Sequence, residues 1–396
     1  MSPRLNLLAP EVRANPYPHY AKLRRTTPVC QVDPGGLWAI TRYEDAVTVL
    51  KNHQLFSSEG MRRATCPPWL EDPPFASAMV VQDPPGHGRL RTLVNRAFGP
   101  AALSRLEPWI RQLAESLAAR LPVGQTVELV EAFTQPLPAS VMRELLGLDA
   151  SLQPFFQRWA DDLMSVSSVA PGDTVRQEQI CSTVREARRY LSEALAQRRL
   201  QPGDDMLSDL ISARVDGEAL TDAELMSFLF LLLIAGLETT NHLLGHSVRL
   251  LMEHPQVLER VREDRSLLPR FVDEALRYEP PVQGVMRVTL EETELGGVRL
   301  PQGSWVMVLL GSVNRDETRF PDAERFDLDR PGPQNLPFGH GIHFCLGASL
   351  ARLEARLGLE ALLSRFRGFT PRGTVVWNRS LSVRGAKGFP IELISR

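Results

Sequence analysis

The chain has 396 residues, and its 45 lysines and arginines nearly balance its 47 aspartates and glutamates, which leaves a formal net charge of −2. This length permits a large hydrophobic core, and the balanced charge gives no basic field that would attract nucleic acid or an anionic membrane. Pro3, Arg4 and Pro10 interrupt the N-terminal segment before any apolar run of signal-peptide length. We therefore expect an intracellular, cytoplasmic protein with no nucleic-acid or membrane partner.

The first 90 residues predict short elements followed by an irregular loop. Residues 9–25 and 43–52 are predicted helices, and residues 36–41 are a predicted strand. The segment 57–88 carries proline pairs at 67–68, 73–74 and 84–85. Such pairs exclude both helix and central strand, and a loop of this length in a compact domain is typical of a functional or mobile segment.

From residue 88 to about residue 200 the pattern is helical. The longest predicted helix begins at Thr221 and Glu224, which fit a capping box, and runs to His254 before Pro255. At 1.5 Å per residue it would be roughly 50 Å long. Its apolar stretch, 225–237, has 13 residues, whereas a membrane span needs about 20. We therefore predict a helix buried in the core.

After the proline pair at 280–281 the pattern changes to short apolar segments, of which 298–300 and 304–310 are predicted strands. We see no internal repeat, low-complexity tract or linker. The sequence thus predicts a single domain, residues 1–396, that is mainly α with a smaller β-rich portion, the β-rich subregions lying near 29–56 and 282–396.

The cysteines lie far apart and form no Cys-x-x-Cys pair, so neither a zinc site nor a disulfide framework is indicated. Cys345 stands out because it lies in a glycine-punctuated loop, 338–347, that leads directly into an amphipathic helix. The positive end of that helix would stabilise a thiolate, and a thiolate is a metal ligand. The alternative is a small buried cysteine in a turn.

The loop matches the pattern Phe-x-x-Gly-x-x-x-Cys-x-Gly at Phe338, Gly341, Cys345 and Gly347. It resembles the haem-binding loop of the cytochrome P450 family. The resemblance implies the cytochrome P450 fold, a triangular prism in which haem b (iron protoporphyrin IX) lies between the long central helix and the helix after the cysteine loop. Cys345 would be the axial ligand of the haem iron, and Phe338, Gly339, Gly341 and Gly347 would contact the cofactor.

The middle of the long helix, 235–240, is poor helix-forming sequence. Ala235 and Gly236 leave one face nearly bare, and a threonine hydroxyl can open the helix by bonding to the carbonyl one turn earlier. Taken alone, the segment equally fits close helix packing beside solvent-facing polar groups. The resemblance implies that Ala235 and Gly236 contact the cofactor, that Glu238 supplies protons, and that Thr239 is the alcohol that supports cleavage of the co-substrate O2.

Other residues match structural and cofactor positions of the family. Glu274 and Arg277, at i and i+3, taken alone predict only a surface ion pair; the resemblance implies that they interlock with the segment of Arg325 and hold the cysteine loop in shape. A haem carries two propionates, which cationic side chains neutralise. The propionate partners implied by the resemblance, each of which alone could be a solvated surface residue, are His87, Arg91, Arg287 and His343.

The resemblance implies a bacterial-type monooxygenase, an oxidoreductase that inserts one oxygen atom from O2 into a hydrophobic small molecule by hydroxylation or epoxidation. A polyketide, terpenoid, steroid or fatty acid would fit a predominantly apolar pocket. The segments 61–79 and 163–169 would contribute to its walls. The individual pocket residues implied are Phe230, Ile234, Ala235, Val282, Val285, Ser382 and Val383.

We see no appended flavin or iron–sulfur segment, so we expect electrons from NAD(P)H to arrive through a separate ferredoxin reductase and ferredoxin. We also expect a monomer. Arg352 and Arg356 on the helix after Cys345, together with Arg96, are the predicted ferredoxin-docking residues, although a solvated helix face is the ordinary meaning of such arginines. Two alternatives remain: a peroxygenase that uses H2O2 directly, and a non-catalytic haem-thiolate binding or docking protein. Intact Glu238 and Thr239 favour the monooxygenase.

Overall fold

A computed structural model describes residues 4–166, 169–170, 172–331 and 335–395, apart from the side chains of Arg63, Arg96, Gln153 and Pro154. The α-helices of these residues are α1 Pro10–Ala14, α2 Tyr17–Thr26, α3 Tyr43–Lys51, α4 Arg62–Thr65, α5 Gly86–Asn95, α6 Pro100–Arg120, α7 Pro136–Leu145, α8 Gln153–Ser165, α9 Thr174–Leu200, α10 Met206–Ser212, α11 Asp222–Ala235, α12 Glu238–Glu253, α13 Pro255–Glu263, α14 Leu268–Tyr278, α15 Leu310–Val313 and α16 Ala348–Arg365.

The strands are β1 Val29–Val32, β2 Leu37–Ile40, β3 Phe56–Ser57, β4 Thr126–Glu128, β5 Val285–Thr289, β6 Thr293–Leu295, β7 Val298–Leu300, β8 Trp305–Val308, β9 Phe366–Pro371, β10 Val376–Trp377, β11 Ala386–Gly388 and β12 Pro390–Ser395. The predicted class, mainly α with a smaller β-rich portion, is confirmed. Strand β4 lies outside both predicted β-rich regions. It pairs with β12, more than 250 residues further along the chain, so its partner could not be read from neighbouring residues.

The long predicted helix is present as two helices. Thr221 caps α11 through the predicted box: its hydroxyl accepts a hydrogen bond from the Glu224 N–H at 3.2 Å, and its own N–H donates to the Glu224 carboxylate at 2.8 Å. The helix is interrupted at Gly236 and Leu237, and α12 then ends before Pro255. By length and composition residues 222–253 could cross a membrane, but this is weak evidence because core helices pass the same test.

The chain divides into two compact units. Unit 1 comprises residues 1–57, 109–137 and 239–396. Its largest sheet has the strand order β1-β2-β8-β5-β3, in which β2 and β8 are parallel and the other neighbours are antiparallel. One face of this sheet packs on α3, where Ala46, Val49 and Leu50 join a buried cluster with Ile40 and Val306. The apolar face of α3 therefore holds this helix against the sheet.

Unit 2 comprises residues 58–108 and 138–238 and is helical. Helices α8 and α9 pack through an aromatic cluster in which Trp159 lies 5.8 Å from the ring centre of Tyr190. Arg89 of α5 forms an ion pair with Glu224 of α11 and donates to the Ala219 carbonyl at 3.3 Å. These contacts hold α5 against the beginning of α11.

Unit 1 contains a buried ionic network around Glu279, which follows α14. The Glu279 carboxylate pairs with Arg249 at 2.6 Å and with Arg384, and the Glu279 carbonyl accepts from Nδ1 of His246 at 2.9 Å. Burial alone would raise the pKa of Glu279. The positive charges of Arg384 and Arg249 outweigh this effect and lower the pKa to about 2. Burial lowers the pKa of His246 to about 3. The network therefore requires an ionised glutamate and a neutral histidine.

His246→Gln should reduce the loss of stability in acid. In the unfolded chain His246 takes up a proton below pH 6.5, whereas in the folded protein it does so only near pH 3. The contribution of neutral His246 to the free energy of unfolding is thus complete above pH 6.5 and is lost as the pH falls towards 3. The loss is about 1.4 kcal/mol per pH unit, or ~2 kcal/mol at pH 5. Urea unfolding at neutral pH and at pH ~5 measures this difference. Equal losses in wild type and variant would contradict it. Glu279 does not interfere, because its contribution is lost only below pH 4.5.

Candidate functional site

The loop around Cys345 is closed by its own backbone. The Gly339 N–H donates to the Leu336 carbonyl at 3.1 Å, and the Cys345 N–H donates to the Phe338 carbonyl at 3.0 Å. Cys345 is exposed and lies three residues before α16. The loop therefore holds an accessible cysteine on a hydrogen-bonded backbone.

Two glycines make this loop possible. Gly339 and Gly341 have φ angles of +74° and +71°, a region that side chains disfavour. A Cβ on Gly341 would also lie 2.5 Å from the Leu50 carbonyl oxygen. Gly347 differs: its φ is −86°, and a Cβ there would meet no atom within 4 Å. Gly341 thus allows the loop to pack closely against Leu50 within unit 1. Gly347, in contrast, leaves open space beside Cys345.

The helix after the loop favours a thiolate. Gly347 is the N-cap of the 18-residue helix α16 and offers no capping side chain. The first-turn N–H groups of such a helix carry the positive end of its dipole, so an anion just before them is stabilised. The position of Cys345 at this end is the arrangement that lowers the cost of ionising a thiol.

A buried ion pair forms the frame behind the loop. Arg277 is fully buried and donates from Nε and Nη2 to both carboxylate oxygens of Glu274, each at 2.8 Å. Its remaining N–H groups donate to the carbonyls of Asn314, Ala323 and Arg325 at 2.9 to 3.0 Å. The alternative of an exposed surface pair is therefore wrong. These bonds join α14 to three separate positions of the following chain.

The frame continues into the cysteine loop through Asn314. The Asn314 side-chain oxygen accepts from the Leu336 N–H at 2.6 Å, and the Leu336 carbonyl accepts from Gly339. From the other side of the loop, Arg352 of α16 pairs with Asp273 of α14 at 2.7 Å. The loop is thus fixed to α14 at both of its ends.

The contribution of residues 325–330 differs in one detail from the sequence interpretation. Arg325 contributes its backbone carbonyl to the frame, and the guanidinium that contacts Glu274, at 3.3 Å, belongs to Arg330. Sequence reasoning missed Arg330. The available signal was the run of arginines at 315, 319, 325 and 330, which does not say which one turns inward.

Glu238 and Thr239 are the first two residues of α12, and both are half-buried. Ala235, at the end of α11, is exposed. A Cβ on Gly236 would lie 2.4 Å from the sulfur of Met142, so within unit 2 the missing side chain gives room to a methionine of α7. Gly236 therefore permits close packing on α7, and its predicted contact with the cofactor stays a prediction.

The four predicted propionate partners are divided between the two units. In unit 1, Arg287 lies on β5 and is buried, and His343 ends a short 3-10 turn and is half-buried. In unit 2, His87 and Arg91 lie one turn apart on α5, with His87 buried and Arg91 half-buried. Three of these side chains therefore lie on a helix or strand, and the fourth, His343, lies in the cysteine loop.

In unit 1 the structure brings two predicted pocket segments together. Val282 and Val383 form an isolated bridge, and the Gln283 N–H donates to the Ser382 carbonyl at 2.7 Å. Val285 begins β5 next to them. These segments are about 100 residues apart in sequence, yet the fold places them in contact. Their contact is compatible with the prediction that both line one substrate pocket.

In unit 2 the predicted pocket residues Phe230 and Ile234 both lie on α11. Phe230 is fully buried beneath the guanidinium of Arg188, which lies 5.4 Å from the ring centre and pairs with Asp72. Ile234 is half-buried. The predicted wall segment 163–169 includes Ser167 and Ser168, which lie outside the described residues, so that part of the prediction has no structural counterpart.

The described side chains fit a haem. Among them no group of three or more His, Cys, Asp or Glu residues could hold a metal ion. Cys345 offers one sulfur ligand, and a porphyrin carries its own nitrogen ligands for the iron. The space beside Gly347 and the exposed Cys345 suit a flat group lying on the loop.

Comparison with known proteins agrees with this geometry. The family model described as Cytochrome P450 matches residues 4–387. The 6-deoxyerythronolide B hydroxylase of Saccharopolyspora erythraea is 38% identical over 95% of this chain and 96% of its own. The cyclomarin C epoxidase of Salinispora arenicola is 38% identical over 86% of each chain. Among solved structures, cytochrome P450 CYP109Q5 from Chondromyces apiculatus is 40% identical and superposes over the whole of both chains with a TM-score of 0.92.

The chain therefore belongs to the cytochrome P450 family, whose members bind haem through a cysteine thiolate. Its relatives are named hydroxylases and epoxidases, and the chain is accordingly a monooxygenase, an oxidoreductase. The predicted P450 fold is confirmed by the same comparisons.

Asn314→Ala should loosen the cysteine loop. The change leaves the buried Leu336 N–H without its acceptor, which costs about 1–3 kcal/mol. We expect faster release of haem from the purified holoenzyme, followed by the decay of the Soret absorbance in the presence of an excess haem acceptor. Asn52→Ala is the matched control, because Asn52 is a half-buried asparagine whose side-chain oxygen accepts from the Leu55 N–H at 3.1 Å and makes no part of the frame around Arg277 described above. Equal release rates in the two variants would refute the role of Asn314.

Proposed function

We propose that this protein is a haem b-dependent monooxygenase that inserts one oxygen atom from O2 into a hydrophobic small molecule, chiefly by hydroxylation and also by epoxidation. Electrons come from NAD(P)H through a ferredoxin reductase and a ferredoxin. The observation that carries the proposal is the exposed Cys345 at the uncapped N-terminus of α16, in a loop fixed by the Glu274–Arg277 pair. We further propose that residues 1–396 act as one catalytic domain, monomeric and cytoplasmic.

Cys345 is the proposed axial ligand of the haem iron. When bound, the haem supplies an iron that binds and reductively activates dioxygen, and the thiolate's electron donation favours O–O cleavage. Phe338, Gly339, Gly341 and Gly347 shape the surface on which the cofactor lies. The helix dipole at Gly347 keeps the sulfur ionised and so keeps it a donor.

The haem propionates are assigned to Arg287, His343, His87 and Arg91. Guanidinium groups bind carboxylates through charge-assisted hydrogen bonds, which are about twice as strong as neutral ones. Arg287 and His87 are buried, so a carboxylate beside them would be shielded from water. These side chains would orient the cofactor and neutralise its charge.

Thr239 and Glu238 are the proposed catalytic residues. Both occupy the first turn of α12, directly after the break at Gly236 and Leu237, and both are half-buried. The Thr239 Oγ1–H would donate a hydrogen bond to the co-substrate O2. It would thereby hold a proton beside the oxygen atom that it contacts. Half-buried Glu238 can exchange protons with solvent and return them to the hydroxyl. Ala235 beside them leaves room for dioxygen.

The substrate walls are assigned to Phe230, Ile234, Ala235, Val282, Val285, Ser382 and Val383. All but Ser382 are apolar, so binding would derive mainly from the burial of hydrophobic surface and the exclusion of water. Titration of the ferric holoenzyme with macrolide aglycones, terpenoids, steroids and fatty acids, read by the shift of the Soret band to high spin, identifies the class. If none of these classes shifts the band, the apolar pocket is wrong.

Thr239→Ala should uncouple the reaction, with the compound selected by that titration as substrate. Without the hydroxyl the proton reaches the wrong oxygen, so NAD(P)H consumption continues while product per NAD(P)H falls by about tenfold or more and H2O2 accumulates. Thr239→Ser, which keeps an oxygen at the same position, should remain mostly coupled. Unchanged coupling in the alanine variant would remove Thr239 from the mechanism. Equally fast turnover of wild type with H2O2 alone would favour a peroxygenase instead.

Ferredoxin docking is assigned to Arg352 and Arg356 on α16. Arg352 is bound to Asp273 and lies 4.5 Å from the ring centre of Phe338, and Arg356 lies 3.7 Å from Glu360. Both side chains remain partly exposed, so an acidic partner can reach them. The side chain of Arg96, the third predicted docking residue, is outside the described residues.

Arg356→Glu should weaken the ferredoxin interaction, and the ion pair it removes is with Glu360 on the same helix, α16. We expect the KM for ferredoxin to rise several-fold and its salt dependence to flatten, because one attractive charge is replaced by a repulsive one. Arg299→Glu, the same change at an exposed residue of β7, is the control. Unaltered ferredoxin kinetics in Arg356→Glu would exclude this face.

A further inference from the structure

His242 of α12 connects the catalytic helix to the segment 378–385, which contains the proposed pocket residues Ser382 and Val383. The imidazole is buried, with 3% of the residue exposed. Its Nε2 lies 3.4 Å from the side-chain Nδ2 of Asn378, which is also buried. His242 follows Thr239 by three residues, so the two side chains share one side of α12.

The surrounding bonds determine which atom donates. The Asn378 side-chain oxygen accepts from Nη2 of Arg13 at 2.6 Å and from the Gly385 N–H at 3.4 Å. The Asn378 amide nitrogen must therefore face His242 and donate to it. His242 then accepts at Nε2, which requires a neutral ring with its proton on Nδ1.

Packing fixes the same contact independently of hydrogen bonding. A Cβ on Gly385 would lie 1.9 Å from Cγ of His242, so the imidazole lies directly on the Gly385 backbone. The Asn378 N–H donates to the Gly385 carbonyl at 2.9 Å. Both ends of the segment 378–385 therefore meet at one histidine ring.

The remaining anchors of this segment come from elements other than α12. The Arg384 N–H donates to the Pro281 carbonyl at 2.8 Å, and Nη2 of Arg13 donates to the Val383 carbonyl at 3.1 Å. These bonds hold the turn to the segment after α14 and to α1. They do not fix its distance from Thr239. The contact at His242 joins the segment to α12 directly, whereas the pairs of Arg384 and Arg249 with Glu279 join it to α12 only through a third residue.

We propose that His242 is a positioning residue that sets the placement of Ser382 and Val383 relative to α12, and thereby the width of the substrate pocket beside Thr239. The inference rests on the proposed function in one respect, the assignment of Ser382 and Val383 to the pocket wall. The contact at His242 itself is independent of that assignment. Loss of this contact would let the turn shift and would change which ligands fit.

Three variants test the proposal in the holoenzyme. His242→Leu keeps an apolar volume but removes the acceptor, and His242→Gln offers an amide oxygen that can accept from Asn378. Ser247→Ala is the matched control: Ser247 is buried on the same helix, but its hydroxyl donates within the helix, to the Leu243 carbonyl at 2.7 Å. A purely structural effect would appear in all three variants.

Imidazole and 4-phenylimidazole serve as probes, each read by the Soret shift of the ferric protein. The dissociation constant of imidazole depends on the iron alone. The dissociation constant of 4-phenylimidazole also depends on the space that the pocket offers to the phenyl ring. We expect the ratio of the two dissociation constants to change about tenfold in His242→Leu, to return towards wild type in His242→Gln and to stay unchanged in Ser247→Ala. Amide exchange of residues 378–385 should accelerate by about the same factor in His242→Leu only.

The outcomes separate this inference from the proposed function. If imidazole does not shift the Soret band of the wild type, haem ligation fails, and both proposals fall. If imidazole shifts the band but the ratio and the exchange rates of His242→Leu match wild type, only the positioning role is overturned. Should His242→Leu not fold, Asn378→Ala removes the same bond from the other partner and must show the same two changes.

Discussion

The buried guanidinium of Arg277 is the constraint on which the haem-binding region depends. A charge inside a protein must be paired and hydrogen-bonded completely, and breaking such a pair costs about 3–5 kcal/mol, against at most ~1 kcal/mol for an exposed one. Arg277 satisfies this requirement with Glu274 and with carbonyls of Asn314, Ala323 and Arg325. Any displacement of these segments would expose an unpaired charge. Asn314 in turn determines where the cysteine loop begins.

The chemistry of the site follows from that rigidity. A thiolate ligand is useful only if its sulfur is ionised and its direction is fixed. For the proposed ligand Cys345, the N-terminal end of α16 favours the ionised form, and the backbone bonds of Gly339 and Cys345 fix the loop that carries it. The helix that carries the proposed catalytic pair is built differently. Its regular course is interrupted at Gly236 and Leu237, immediately before Glu238 and Thr239.

Local signals in the sequence predicted the features that depend on neighbouring residues. The capping box at Thr221 and the glycine requirement at Gly341 were visible because a helix start and a positive φ are properties of a few adjacent positions. Long-range partners were not visible. Arg330 on Glu274, β4 on β12 and His242 on Asn378 each join residues more than 50 positions apart. Only the packed fold decides which of many similar side chains meet.

The absorption spectrum of the purified, reduced protein under carbon monoxide tests the central claim most directly, because the position of its Soret band reports the ligand opposite the gas. With the Cys345 thiolate on the iron, the band is displaced to the red, as thiolate donation requires. A band at the position given by histidine-ligated haem, or no haem band after reconstitution, would contradict the account.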